Sequence, residues 1–158
     1  MPKFKFATQE WADAYAKALN ENSAYKEAAG PERFPPNGWE GDFIFVIEPS
    51  GPVSKEIKMW IGLYHGDCTG ARILGDNEPY KVIKSGEKAP EGVVGAEYVY
   101  IATYDTWMKI LNKELDSVKA LLTGKARLQG DMAKVMRATK GAQEMINSTN
   151  AIDTEFWD

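Results

Sequence analysis

The residues whose types suggest chemistry are few. His65 is the single histidine of the chain and Cys68 its single cysteine, and they stand three apart in the run HGDC. Protein metal sites need three or four ligands, so two residues do not make one, and no metal is expected. A nucleophilic cysteine and its base must be oriented toward each other, which neighbours within one turn seldom are. The run reads instead as a turn between two strands, with Gly66, Asp67 and Gly70 supplying the backbone freedom. The glycines form neither GxGxxG nor GxxxxGK[ST], so no nucleotide cofactor is expected. Asp42, Glu48, Asp67 and Asp105 are scattered singly and read as solvated or capping carboxylates, not as an acid–base pair. The expectation is a protein without catalytic residues, metal or cofactor.

Composition narrows the classes further. A chain of 158 residues with 44% hydrophobic and 27% charged side chains can bury a core as one domain, 1–158, without disulfides. A formal net charge of −4 argues against neutralising nucleic-acid phosphates as the main task. No apolar run of membrane-spanning length occurs, and MPKFKFATQEW lacks the apolar core of a secretory signal. With one cysteine and no Ser-Lys-Leu ending, a cytoplasmic, prokaryotic location is expected.

Several elements must position whatever the chain binds. Thr8 can cap a helix running to about Ala28, with Trp11, Ala12, Tyr15 and Leu19 on one face. GPERFPPNG (30–38) is a turn-rich connector. DFIFVIE (42–48) places apolar residues on both sides, as in a central strand, and pairs as a hairpin with KEIKMWIGLY (55–64). Ala71–Leu74 and Tyr98–Thr103 give two more strands, with a long loop or a weak strand at Tyr80–Ile83 between them. Asp105 or Thr106 can cap a helix with Trp107, Ile110 and Leu111, and Asp116 a short one stopping at Gly124. KARLQ (125–129) alternates like a strand. Met132, Val135, Met136, Thr139, Gln143 and Ile146 then fall on one stripe of a final helix, before a frayed or draped tail from Asn147. Helix, strands, helices, strand, helix describe an α+β layer.

The stretch LLTGKARLQGDMAKVMR (121–137) carries an apolar helix, a Gly-Lys-basic strand, Gly-Asp and a helix opening on methionine. Gly124, Lys125, Leu128, Gly130, Asp131, Met132 and Met136 make it similar to a segment of the sterol carrier protein 2 family. VYIATYDTWMKILNKELDSVKALL resembles that family's strand and two following helices through Trp107, Leu111 and Leu115, and DFIFVIEP and YHGDCTGARI resemble its first strands. The resemblance covers about Trp39 to Ile146. It departs at Thr139, where many members have glutamine, and in a longer region from Gly75 to Gly95, and both bear on head-group choice.

The resemblance implies a five-stranded, mostly antiparallel sheet with helices on one face enclosing a hydrophobic cavity. It implies intracellular binding and transfer of a fatty acid, fatty acyl-CoA, sterol or similar lipid. The expected ligand-binding residues are Phe43, Phe45, Met59, Trp107, Leu111, Leu121, Leu122, Leu128, Met132, Val135, Met136 and Thr139. Without the resemblance the same side chains read as ordinary core. A non-catalytic accessory or scaffold subunit of a metabolic enzyme complex, with an enzyme partner or a homo-oligomeric state, and an enzyme acting within the cavity are the alternatives. Lys125 and Arg127 before the final helix, and Lys134, Arg137 and Lys140 on its side away from Met132 and Met136, suggest transient contact with anionic membranes.

Overall fold

A computed structural model describes residues 3–158; of the single unit expected over 1–158, the first two residues lie outside the described ones. The described residues run β1 (Phe4–Lys5), α1 (Gln9–Glu21), α2 (Ser23–Ala28), β2 (Phe43–Glu48), β3 (Ile57–Tyr64), β4 (Asp67–Ile73), β5 (Tyr80–Val82), β6 (Val94–Ala96) and β7 (Tyr98–Thr103). They continue through α3 (Tyr104–Leu111), α4 (Ser117–Leu122), β8 (Ala126–Gln129), α5 (Met132–Arg137), α6 (Thr139–Asn147), a 3₁₀ turn and β9 (Thr154–Glu155). No helix among them is long and apolar enough to cross a membrane.

The main sheet has the order β4-β3-β2-β7-β8. Its one parallel pair is β2 with β7, and the other three pairs are antiparallel. β2 lies at the centre because it is apolar on both sides, and only its last residue, Glu48, escapes full burial. Phe43, Phe45 and Ile47 face one core and Ile44 and Val46 the other. The helices cover the first face. Against the second pack Trp60, Tyr80, Val82 and Val94, so the 75–97 excursion, with β5 parallel to β6, shields it from water.

Local chemistry sets the element ends. Thr8 accepts the Trp11 N–H as the N-cap of α1, and the buried stripe is Trp11, Ala12, Tyr15, Ala18 and Leu19. The expected single helix to Ala28 is broken at Asn22, whose side chain accepts from the N–H groups of Ala24 and Tyr25 and so starts α2. Between β3 and β4, His65 (φ 53°) and Gly66 (φ 83°) both take the left-handed conformation of a two-residue hairpin turn. Thr103, not Asp105 or Thr106, caps α3, because β7 runs straight into that helix.

One further expectation is corrected: the final helix is divided at Ala138, whose backbone (φ −104°, ψ 25°) leaves the helical range. Of the two alternatives for the tail from Asn147, frayed or draped, the structure shows the draped one. β9 pairs in parallel with β1, Trp157 donates its indole N–H to the Phe6 carbonyl at 2.8 Å, and Trp11 donates its own to Thr154 at 3.0 Å.

Candidate ligand cavity

The apolar face of the sheet supplies a floor. In the β2–β7 register Phe43 lies beside Tyr98 and Phe45 beside Tyr100, and side chains two apart share a face. Trp107, from α3, seats its ring 5.0 Å from Phe45 and 5.2 Å from Tyr100. Above this floor α4, α5 and α6 form a roof, and two apolar spaces lie in between. One is bounded by Phe45, Tyr100, Trp107, Val118, Leu121, Leu128 and Ile146, the other by Tyr25, Ala29, Phe34, Trp39, Leu63 and Gly141. Phe43, Val135, Ala142 and Met145 wall both, so the spaces are neighbouring compartments.

Only about 50 Å³ of the first and about 30 Å³ of the second is wide enough to centre a water molecule. A few waters would fill that width, so admitting an acyl chain requires the roof to shift. Gly141 marks where there is slack, because a Cβ built there meets nothing within 4 Å.

The polar tips of three lining aromatics are turned to the backbone. Tyr100 donates its hydroxyl to the Ser117 carbonyl at 2.7 Å, Trp107 donates to Val46 at 3.0 Å, and Trp39 donates to Gly41 at 2.9 Å. Burial pushes the Tyr25 and Tyr100 hydroxyls well above the ordinary phenol range, so both stay protonated. Apart from Ser117 in the first compartment and the Tyr25 hydroxyl in the second, the lining is hydrocarbon and ring face. No carboxylate, amine, imidazole or thiol lines either compartment.

Of the twelve expected ligand residues, Phe43, Phe45, Trp107, Leu121, Leu128 and Val135 are brought together on the cavity wall. Met59 is fully buried in the core beside Phe45 but reaches neither compartment, and Leu111 packs against the core from the end of α3. Thr139 spends its hydroxyl on the Met136 carbonyl at 2.7 Å. Leu122, Met132 and Met136 are 71%, 41% and 37% exposed and stand outside. The stripe on α5 is rotated from its expected direction. Lys134 reaches inward to the Glu40 carbonyl at 2.9 Å and the Glu97 carboxylate at 2.8 Å, which turns Val135 to the cavity and both methionines to solvent. The lining also includes Tyr100, Ala142 and Met145. Tyr100 shares the two-residue period of Tyr98 and Ala102, which becomes informative only once β7 is placed beside β2.

The chemical candidates lie elsewhere. His65 bonds Glu40 at 2.7 Å and stacks on Tyr64, whereas the Cys68 thiol lies near the Gly70 carbonyl, where burial raises its pKa. Asp42 is pushed up by burial and pulled back by the Leu63 N–H and the Trp60 indole, both of which it accepts. Glu48 pairs with Arg127 and Asp67 with Lys26. Among the described residues no three His, Cys, Asp or Glu side chains group as a metal site.

Neither a family model nor a curated protein matches the chain. Solved structures do. A crystal structure of sterol carrier protein 2 is 28% identical, with a TM-score of 0.71 over 94% of this chain and 99% of the other. The solution structure of a conserved hypothetical protein from Thermus thermophilus, described as a possible sterol carrier protein, is 26% identical, with a TM-score of 0.71 over 96% and 93%. Both span nearly their whole length on this chain, including the sheet and the helical roof that enclose the cavity. The chain forms a sterol carrier protein 2-like domain.

Proposed function

We propose that this protein binds one long-chain apolar molecule between the sheet and α4–α6, carries it through water and releases it without altering it. The observation that supports this most directly is the cavity wall, almost entirely hydrocarbon and aromatic, with the Trp39, Trp107 and Tyr100 donors committed to backbone carbonyls. Such a wall offers an acyl chain or a sterol ring system burial and offers a reacting group no carboxylate, amine, imidazole or thiol. Burying eight methylenes gains about 6 kcal/mol, against several kcal/mol for association and ordering. Opening the narrow compartments lowers affinity further, which suits a carrier that must let go of cargo. The proposed setting is the cytoplasm, and the proposed ligands are fatty acids, acyl-CoA or sterols.

Native mass spectrometry of freshly purified protein, followed by solvent extraction, tests this reading. One retained apolar molecule per chain is expected, recovered chemically unchanged. A polar metabolite, or a converted product after incubation with a lipid, would contradict it.

A further inference from the structure

Three of the four large apolar side chains that stand exposed among the described residues, Leu122, Met132 and Met136, belong to α4 and α5, which flank β8. The fourth, Tyr64, lies on β3. The same segment, 119–140, holds six basic residues and one acidic one, in a chain whose net charge is −4. Positive charge is therefore concentrated in the segment that carries the exposed apolar side chains, while the rest of the chain is strongly acidic.

The side chains sort by face. On α5, Lys134 and Val135 turn to the protein, and Met132, Ala133, Met136 and Arg137 turn to solvent. On α4, Lys119 and Leu122 are exposed three residues apart. Arg127 and Lys140 have carboxylate partners in Glu48 and Glu144, but Lys119, Lys125 and Arg137 form no ion pair among the described residues. On the inner side of these elements are Leu121, Leu128 and Val135, all cavity walls.

We infer that the outer face of α4, β8 and α5 docks on an anionic phospholipid membrane, with Leu122, Met132 and Met136 entering the interface and Lys119, Lys125 and Arg137 meeting lipid headgroups. Two six-residue helices present convex, flexible side chains rather than a groove, which a deformable lipid surface accommodates without shape complementarity. Anionic lipid complements the local charge and repels the acidic remainder, so attraction also orients the molecule. Docked this way, the part of the wall formed by Leu121, Leu128 and Val135 is all that separates cavity and bilayer. The inference rests on the lipid-binding reading for its purpose, but membrane contact is measured separately from cavity occupancy.

The test is co-sedimentation with vesicles of phosphatidylcholine, with and without phosphatidylserine, at low and high salt. It compares the wild type with Lys125→Glu/Arg137→Glu and Met132→Ser/Met136→Ser, all checked for fold by circular dichroism. The substituted side chains are solvent-facing, and each variant is also titrated with a fluorescent fatty acid in the absence of vesicles. The wild type is expected to bind the anionic vesicles selectively and to detach at high salt. Charge reversal should weaken that binding about tenfold or more, and the methionine variant should weaken it as well, with fatty-acid binding in solution unchanged. No vesicle binding by the wild type, or binding indifferent to charge reversal and salt, overturns the inference. So does a self-associating wild type that Met132→Ser/Met136→Ser turns monomeric, because the face would then join two copies of the chain. Vesicle binding without fatty-acid binding would leave docking standing and remove the carrier reading instead.

Discussion

Tyr100 donates its hydroxyl to the carbonyl oxygen of Ser117 at 2.7 Å, tying the middle of β7 to the first residue of α4. The bond holds one side of the roof at a fixed height over the floor and removes a polar donor from the cavity. Tyr100→Phe keeps the ring and loses the bond. Stability should fall by about 1 kcal/mol in urea unfolding, while α4 is freed to lift and lipid association becomes faster in stopped-flow fluorescence. An unchanged association rate would show that α4 is not part of the moving roof.

Gly141 lies buried within α6, facing open space. Gly141→Ala removes glycine's backbone freedom without a clash and should raise stability by about 1 kcal/mol. Gly141→Leu extends into the smaller compartment and should weaken binding of long ligands more than short ones, as read from a chain-length series of fluorescent fatty acids. Equal loss at every length would place the ligand's end elsewhere.

Burial holds the hydroxyls of Tyr15, Tyr25, Tyr98 and Tyr100 above the ordinary phenol value. Below about pH 10 both folded and unfolded chains keep these protons, so their contribution to stability is complete. Above it the unfolded chain ionises and the folded one does not, and stability declines as pH rises. Tyrosinate absorbance from these residues should therefore appear together with loss of circular dichroism. A smooth titration near pH 10 in protein that stays folded would show these hydroxyls to be in reach of water.

Much of this architecture is legible in the chain. Thr8 and Asp116 announce their helices by side-chain capping, Phe43 to Ile47 declare a strand buried on both faces, and the Gly124 to Asp131 run delimits β8. The breaks at Asn22 and Ala138 are less so. Asn22 stops one helix because its amide is also engaged with Glu144 and Ser148, more than a hundred residues on. Half of the expected cavity residues do line it, because strand alternation fixes Phe43 and Phe45 once the sheet's inner face is chosen. Met132 and Met136 on α5 depart from expectation because a six-residue helix tolerates several rotations, and its orientation is set by a long-range partner, the Glu97 carboxylate that Lys134 finds. Nor does local pattern announce that Trp157 closes over Phe6.

Titration of the delipidated protein with a fluorescent long-chain fatty acid, in parallel with Ala142→Trp, reaches the central claim most directly. Ala142 walls both compartments, and an indole there fills the space a chain would take. The account predicts saturable binding of one molecule per chain by the wild type and at least a tenfold loss in the folded variant. Wild-type protein that shows no saturation up to the solubility limit of the fatty acid, or a folded Ala142→Trp that binds equally well, would contradict it.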